Sequence, residues 1–228
     1  ENDFGLMAQA YKDNTSMLIS EVLAPEERRL DVFEEVLDCM LLKKHYKKVF
    51  VCVPLKFMKL IENLSKRKQY RLSKNSVAYC PVYNLRCIDE TLRGKDWKKL
   101  RNIKNSFYAE NKVEVIPSTD ISKEKLKRII KEWKASRGTT SWAYYGKYMN
   151  FIENNFYGTD HSRTLIVNGV PSSIAAGWRI PNSNNYYSAI GIYNYRFKYL
   201  GEIINLEDLL YIKKMGYDYA DFGDSDKG

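Results

Sequence analysis

The residues best placed to do chemistry gather late in the chain, between Tyr186 and Asp224. Arg196 and Lys198 stand in a short stretch, residues 195–200, that leads into Gly201 and an apolar-periodic segment. A cationic turn emptying into a helix start sets unpartnered backbone N–H groups beside positive side chains. That combination is an anion seat, and a phosphate-bearing donor is its expected guest. Glu202, Asp221 and Asp224 are the nearby carboxylates, and each could take a proton from an attacking amine. Each also has a plainer reading. Glu202 suits the positive end of a helix dipole, and Asp221 and Asp224 suit a turn. Arg179 falls in a strand-like run, where a guanidinium needs a partner or a charged substrate, and Trp178 beside it reads as core. His161, in a polar loop before a strand, reads as a surface histidine more readily than as a base. Tyr144, Tyr145, Tyr148, Tyr186 and Tyr187 could line an acceptor cleft, or pack half-buried with their hydroxyls in water.

The elements that must position these groups follow from periodicity. Residues 186–193 are aromatic and β-branched without charge, hence a strand. From Gly201, the residues Ile203, Ile204, Leu206, Leu209, Leu210 and Ile212 crowd one broad helical face. Lys213 and Lys214 close that helix and Gly216 ends it, before a strand over 217–222. Upstream, strands are expected over 112–116, 163–167 and 172–180. Helices are expected from Ser122, with Ile121 and Leu126 as a staple, and over 142–156. The second half therefore reads β-α-α-β-β-β-α-β. In the first half, strands are expected over 16–22 and 48–54, the latter buried on both faces, and helices over 25–44 and 55–66. Two further strands, over 70–72 and 76–83, flank a turn at Lys74 and Asn75. Residues 88–111 read as one charged connector helix. The domain division is then 1–87, a connector over 88–112, and 113–228, in an α/β (α+β) architecture with a mixed sheet flanked by helices in three layers.

Composition bounds the answer. The chain has 228 residues, 44% hydrophobic and 14% aromatic, enough to bury a core. No apolar run reaches membrane-span length, and no signal peptide opens the chain. Beginning at Glu1 and stopping at Gly228 just after a strand, both ends read as trimmed. The four cysteines, Cys39, Cys52, Cys80 and Cys87, form no CxxC pair and there are two histidines, so no zinc site is expected. Cys39 and Cys52 read as core residues, and the compartment as reducing and cytoplasmic. The formal net charge is +9, but between Lys43 and Lys104 there are 18 Lys and Arg against 4 Asp and Glu. That basic region could grip nucleic acid, or could be a set of solvated helix faces.

Three pieces carry a family resemblance: LRNIKNSFYAENKVEVIP, the KEWKASRG helix end with Trp133 and Arg137, and LEDLLYIKKMGYDYADFGDSD. With the element order and the basic turn, they resemble the GCN5-related N-acetyltransferase (GNAT) fold superfamily. The likeness is to tandem arrangements of the phosphatidylglycerol lysyltransferase C-terminal domain family and, more loosely, the peptidoglycan-bridge aminoacyl transferases. The acyl-CoA loop of that fold, Arg/Gln-x-x-Gly-x-Gly/Ala, falls on Arg196 to Gly201. Arg196 and Gly201 match; Tyr199 replaces the middle glycine, which works against tight wrapping of a pyrophosphate.

The resemblance implies a splay between two strands that admits an acyl carrier. Backbone of Ile190, Gly191, Ile192 and Tyr193 would hold the carrier arm, and Arg196, Lys198 and Gly201 its phosphate. Glu202, Asp221 and Asp224 compete as base, with Asp224 preferred, and Arg179 stands as a further site residue. It implies acyl-CoA or aminoacyl-tRNA as donor substrate with no tightly bound cofactor, and an amine or hydroxyl acceptor. It places residues 1–87 as the back half of a first such domain and residues 113–228 as the acyltransferase domain with its C-terminal end truncated. The rival reading is a non-catalytic module of the same fold that binds nucleic acid or a protein through its basic half.

Overall fold

The structure, a computed structural model, describes all residues except 1–5, 19–21, 23, 54, 69, 74–76, 78, 138–144 and 224–228, and the side chain of Lys56. The chain divides into two compact units, Glu1–Ser76 and Val77–Gly228.

In the first unit, β1 (Ala8–Ala10) pairs antiparallel with β2 (Thr15–Leu18), and β2 pairs parallel with β3 (Lys48–Val51). A parallel pair needs a crossover, which α1 (Arg29–Asp38) and its π-helical extension Cys39–Lys43 supply. With α2 (Leu55–Lys68) this makes one apolar cluster around Leu18, Phe33, Leu37, Ile61 and Leu64. Lys68 bridges Glu34 and Asp38 at 2.8 and 3.0 Å, and Arg67 also pairs with Glu34, so α2 is clamped to α1. The Tyr70 hydroxyl donates to Asp38; burial first, and then that carboxylate, push its pKa up to about 12. Two expectations fail here. β3 alternates, with Lys48 and Phe50 exposed, because only one face of this small sheet is covered. Cys52 is exposed and Cys39 only half-buried, so neither is a core residue.

The second unit is built on a seven-stranded mixed sheet. Its strands are β4 (Val82–Asn84), β5 (Val113–Pro117), β6 (His161–Val167), β7 (Val170–Pro171), β8 (Ser173–Arg179), β9 (Asn185–Tyr193) and β10 (Tyr219–Asp221). The spatial order is β4-β10-β9-β8-β6-β5, with β7 on β6, and all pairs are antiparallel except β9 with β10. α3 (Lys98–Glu110) and α6 (Leu200–Lys214) cover one face through Ile103, Phe107, Leu200, Ile203 and Ile204. α4 (Lys123–Ser136) and α5 (Gly146–Glu153) cover the other through Leu126, Ile129, Ile130, Trp133 and Ile152. The three-layer arrangement expected from the sequence is present.

Helix ends follow local chemistry. Ile121 and Leu126 are both buried in one cluster at the start of α4, as a staple requires, although Ser122 makes no capping hydrogen bond. α6 ends at Lys214, with Gly216 in the left-handed region at φ 91°. The connector helix is shorter than its charge pattern suggested. Asp89 takes the backbone N–H of Thr91 and of Arg93 at 2.9 and 2.8 Å, and Leu92 and Gly94 have positive φ, so residues 88–97 turn instead of coiling. Of the two strands expected over 70–72 and 76–83, the first is absent, and the second survives as β4 with a lone bridge at Tyr79; the turn at Lys74 and Asn75 lies outside the described residues. β4 pairs with β10, so residues 77–87 belong to the second unit rather than to the half-domain drawn over 1–87. Arg86, bonded to Asp218 at 2.7 Å, ties that segment to the approach of β10.

Candidate active site

β9 and β10 run parallel only over Tyr219↔Asn185, Ala220↔Tyr186 and Asp221↔Tyr187. Beyond Tyr187, β9 continues to Tyr193, paired with β8 alone among the described residues. Among the described residues β10 ends at Asp221, so the edge of β9 from Ser188 onward has no strand partner on that side. An unpaired strand edge presents N–H and C=O groups at alternate residues. Ile190, Gly191, Ile192 and Tyr193 lie on this open stretch.

Just past that last pair β9 carries an irregularity. Ser188 pairs with Gly177 but Ile190 pairs with Ala176, so Ala189 is an extra residue on β9. Such a bulge bends its strand, raises the twist and reverses which side chains face each layer. Gly177 is what the bulge packs on. A Cβ there would lie 2.2 Å from the Tyr187 carbonyl oxygen and 2.7 Å from Tyr186 Cε1. Only glycine lets the two backbones come this close.

The cationic bend follows directly. Asn194 donates its backbone N–H to Ser172 and accepts that of Arg196 on Oδ1 at 3.3 Å, which turns the chain out of the sheet. Tyr195, Arg196, Lys198 and Tyr199 are exposed, so the bend is open to solvent. Tyr199 takes the left-handed conformation (φ 66°) where the family loop has glycine, an unfavourable backbone for a bulky residue. No side chain caps α6. Arg196 pairs with Glu132 of α4, and Lys198 lies 4.6 Å from the Tyr199 ring centroid, its pKa raised by the hydrogen bond between them. A Cβ on Gly201 would sit 2.6 Å from Tyr193 Oη, so the Tyr193 ring lies across the first turn of α6. Burial, with Tyr195 alongside, raises the Tyr193 pKa.

The carboxylates are dispersed. Glu202 is exposed in the first turn of α6. Asp221 ends β10 and accepts the Gly223 N–H at 2.8 Å, the turn role its sequence context allowed. Asp224 lies outside the described residues, as does Tyr144. Arg179 is exposed at the end of β8, opposite Tyr186, and its backbone N–H donates to Asp160 at 2.6 Å. Phe151 stacks on Trp178, which meets Tyr187 edge-on, and the Tyr187 hydroxyl reaches the left-handed Gly223 just past β10. Tyr148 packs edge-on against Trp133, Tyr145 is exposed, and Tyr186 is fully buried, so these tyrosines do not form one cleft.

His161 is the largest departure from the sequence reading. It is 6% exposed, with Nδ1 2.6 Å from Tyr186 Oη and Nε2 2.8 Å from Asp208 Oδ1. Ser188 Oγ donates to Asp208 Oδ2 at 2.6 Å. Burial raises the Tyr186 pKa strongly. The one signal in the sequence was Asp208 itself, a carboxylate set among Ile203, Ile204, Leu206, Leu209 and Ile212. Among the described residues no three His, Cys, Asp or Glu side chains gather as a metal site.

The mixed sheet with helices on both faces has the fold of solved GNAT-like structures. L-PGS from Bacillus licheniformis superposes with TM-score 0.63 at 14% identity, over 94% of this chain and 66% of that one. The C-terminal domain of a proposed lysylphosphatidylglycerol synthetase from Agrobacterium fabrum gives 0.64 at 11% identity, over 98% of this chain and 70% of that one. A GCN5-related glucosamine N-acetyltransferase region in a fungal multi-domain β-N-acetylglucosaminidase gives 0.56 at 10% identity, over 98% of this chain and 28% of that one. At these identities the likeness is one of fold. This chain spans about two thirds of the two synthetase structures. No protein-family model matches the sequence, and no curated protein matches it. Among the described residues no helix is long and apolar enough to cross a membrane.

Proposed function

We propose that this protein is an acyl- or aminoacyl-transferase that moves an acyl group from acyl-CoA or aminoacyl-tRNA to an amine or hydroxyl acceptor. The observation that carries the reading is the edge of β9 left without a strand partner beyond Tyr187 among the described residues, leading to the exposed bend at the start of α6. In this reading the open backbone of Ile190, Gly191, Ile192 and Tyr193 holds the carrier arm as an added strand would. Arg196, Lys198 and the α6 amides at Gly201 take its phosphate. Rate comes mainly from holding acceptor and acyl carbon together, with the tetrahedral oxyanion needing a donor. Glu202 and Asp224 remain the candidates for receiving the acceptor's proton, and Arg179 a candidate for orienting a charged substrate. The donor is a substrate and not a resident cofactor.

The test is Arg196→Ala. The variant is expected to bind acetyl-CoA or aminoacyl-tRNA about ten-fold more weakly, the worth of one charge-assisted contact. Unchanged donor binding and turnover sink the donor-site assignment.

One observation favours a second reading. The Tyr193 ring crowds Gly201 and Tyr199 replaces a glycine, so a non-catalytic module that binds RNA or a protein through the basic region between Lys43 and Lys104 is the alternative. Arg67, Lys68 and Arg86 of that region are already ion-paired within their own units. RNA affinity should fall steeply with salt if the region grips phosphates, and a flat salt series removes RNA as a partner.

A further inference from the structure

Four buried side chains that the proposed transfer does not use form a chain beside the bulge of β9. Tyr186 and Ser188 are two residues apart on β9 and share a face. His161 opens β6, and Asp208 comes from the middle of α6. One proton arrangement satisfies every atom. The Tyr186 hydroxyl donates to His161 Nδ1, His161 Nε2–H donates to Asp208 Oδ1, and the Ser188 hydroxyl donates to Asp208 Oδ2. A nucleophilic serine would need the imidazole as its neighbour, but Ser188 faces the carboxylate, and the Tyr186 hydroxyl is shut away from any substrate. The group is not a reacting triad.

Its position points elsewhere. Tyr186 and Ser188 bracket Tyr187, the last residue of β9 paired to β10, and Ala189, the extra residue, comes next. Without the extra residue, strict alternation back from Ile190 and Ile192, which pack against α4, would turn Ser188 to the other face of the sheet. The Asp208 carboxylate would then be buried without one of its donors, an arrangement strongly disfavoured in an apolar interior. The chain is therefore a register lock on the bulge. It also ties the strand with the open edge to the helix whose first turn meets the bend.

We propose that Asp208, with His161, is a positioning residue that pins Tyr186 and Ser188 and so fixes the register of β9 at its bulge. The inference rests on the transferase reading for its catalytic consequence, but not for its structural one. The experiment is amide hydrogen exchange on Ser188→Ala and Tyr186→Phe, with Ser118→Ala as control. Ser118 also makes a buried hydroxyl bond, to Thr164 at 2.9 Å, on the far side of the sheet. Ser188→Ala and Tyr186→Phe should speed exchange at residues 189–193 by about ten-fold while the β5–β6 amides keep their protection. Ser118→Ala should leave residues 189–193 unchanged. In an active enzyme, Ser188→Ala should also raise the KM for acetyl-CoA or aminoacyl-tRNA more than it lowers kcat. Unaltered exchange at 189–193, or a rise spread evenly over the whole sheet, overturns the pinning. A wild-type protein that neither binds nor transfers from either donor defeats the transferase reading, and the exchange comparison then still decides the pinning.

Discussion

Gly177→Ala adds one methyl group where β8 comes closest to β9, at the bulge. The new carbon would fall 2.2 Å from the Tyr187 carbonyl oxygen, 2.7 Å from Tyr186 Cε1 and 3.1 Å from Ser188 Cα. Carbon and oxygen in weak C–H···O contact stay roughly 3.3 Å apart, so β8 and β9 must separate by about 1 Å. Gly177 is not at positive φ, so the penalty is one of space and not of backbone conformation. Relief is hard, because the obstructing atom is main chain and the neighbouring Tyr186 hydroxyl is held by His161. Overpacking of this kind costs about 3 kcal/mol, partly offset by about 0.5–1 kcal/mol from the stiffer unfolded chain. The expected net loss is therefore about 2 kcal/mol, or about 4–8 °C in Tm for a unit of this size. Urea unfolding followed by tryptophan fluorescence measures it cleanly, since Trp97, Trp133, Trp142 and Trp178 all belong to the second unit. A loss under about 0.5 kcal/mol, with an unchanged m-value, would refute the close approach of β8 to β9 at the bulge.

Three further outcomes follow from the same physical arguments. Glu132→Gln removes the half-exposed partner of Arg196 and should change stability by less than about 1 kcal/mol. By freeing the guanidinium it should lower the KM for an anionic donor; a raised KM counts against Arg196 as a donor contact. Asp38, Asp89 and Asp218 are held below the ordinary 3.8 by hydrogen bonds from Tyr70, Thr91 and Arg86 respectively. Depressed carboxylates stabilise above their unfolded pKa, so stability should be lost as pH falls from about 4 through their folded values. Asp218→Asn should flatten that slope in a series of urea midpoints. Tyr70, raised to about 12 by burial, binds its proton more tightly when folded, so its contribution should be lost as pH rises from 10 through 12. Phenolate absorbance should show Tyr70→Phe removing one late-titrating group, and a loss from the early-titrating fraction would contradict the Tyr70–Asp38 contact.

The amino-acid sequence alone determined the local events. Periodicity marked β5, α4, β6, β8, β9, α6 and β10 in order, because the burial of one face is written into spacing. The bend at Arg196 and Lys198 was legible for the same reason, since a helix start and its neighbouring charges are contiguous in the chain. Sequence over-read where a side chain competed with the backbone, as Asp89 does at residues 88–97, and where a short apolar run proved to have only one covered face, as in β3.

What the tertiary structure alone decided are the relations between distant residues. His161 lies 47 residues from Asp208 and 25 from Tyr186, and Ser188 lies 20 from Asp208. Each is an ordinary polar residue until the fold removes water and sets the others beside it. The bulge is of the same kind: an extra residue in β9 and a glycine opposite it on β8, set face to face by the sheet.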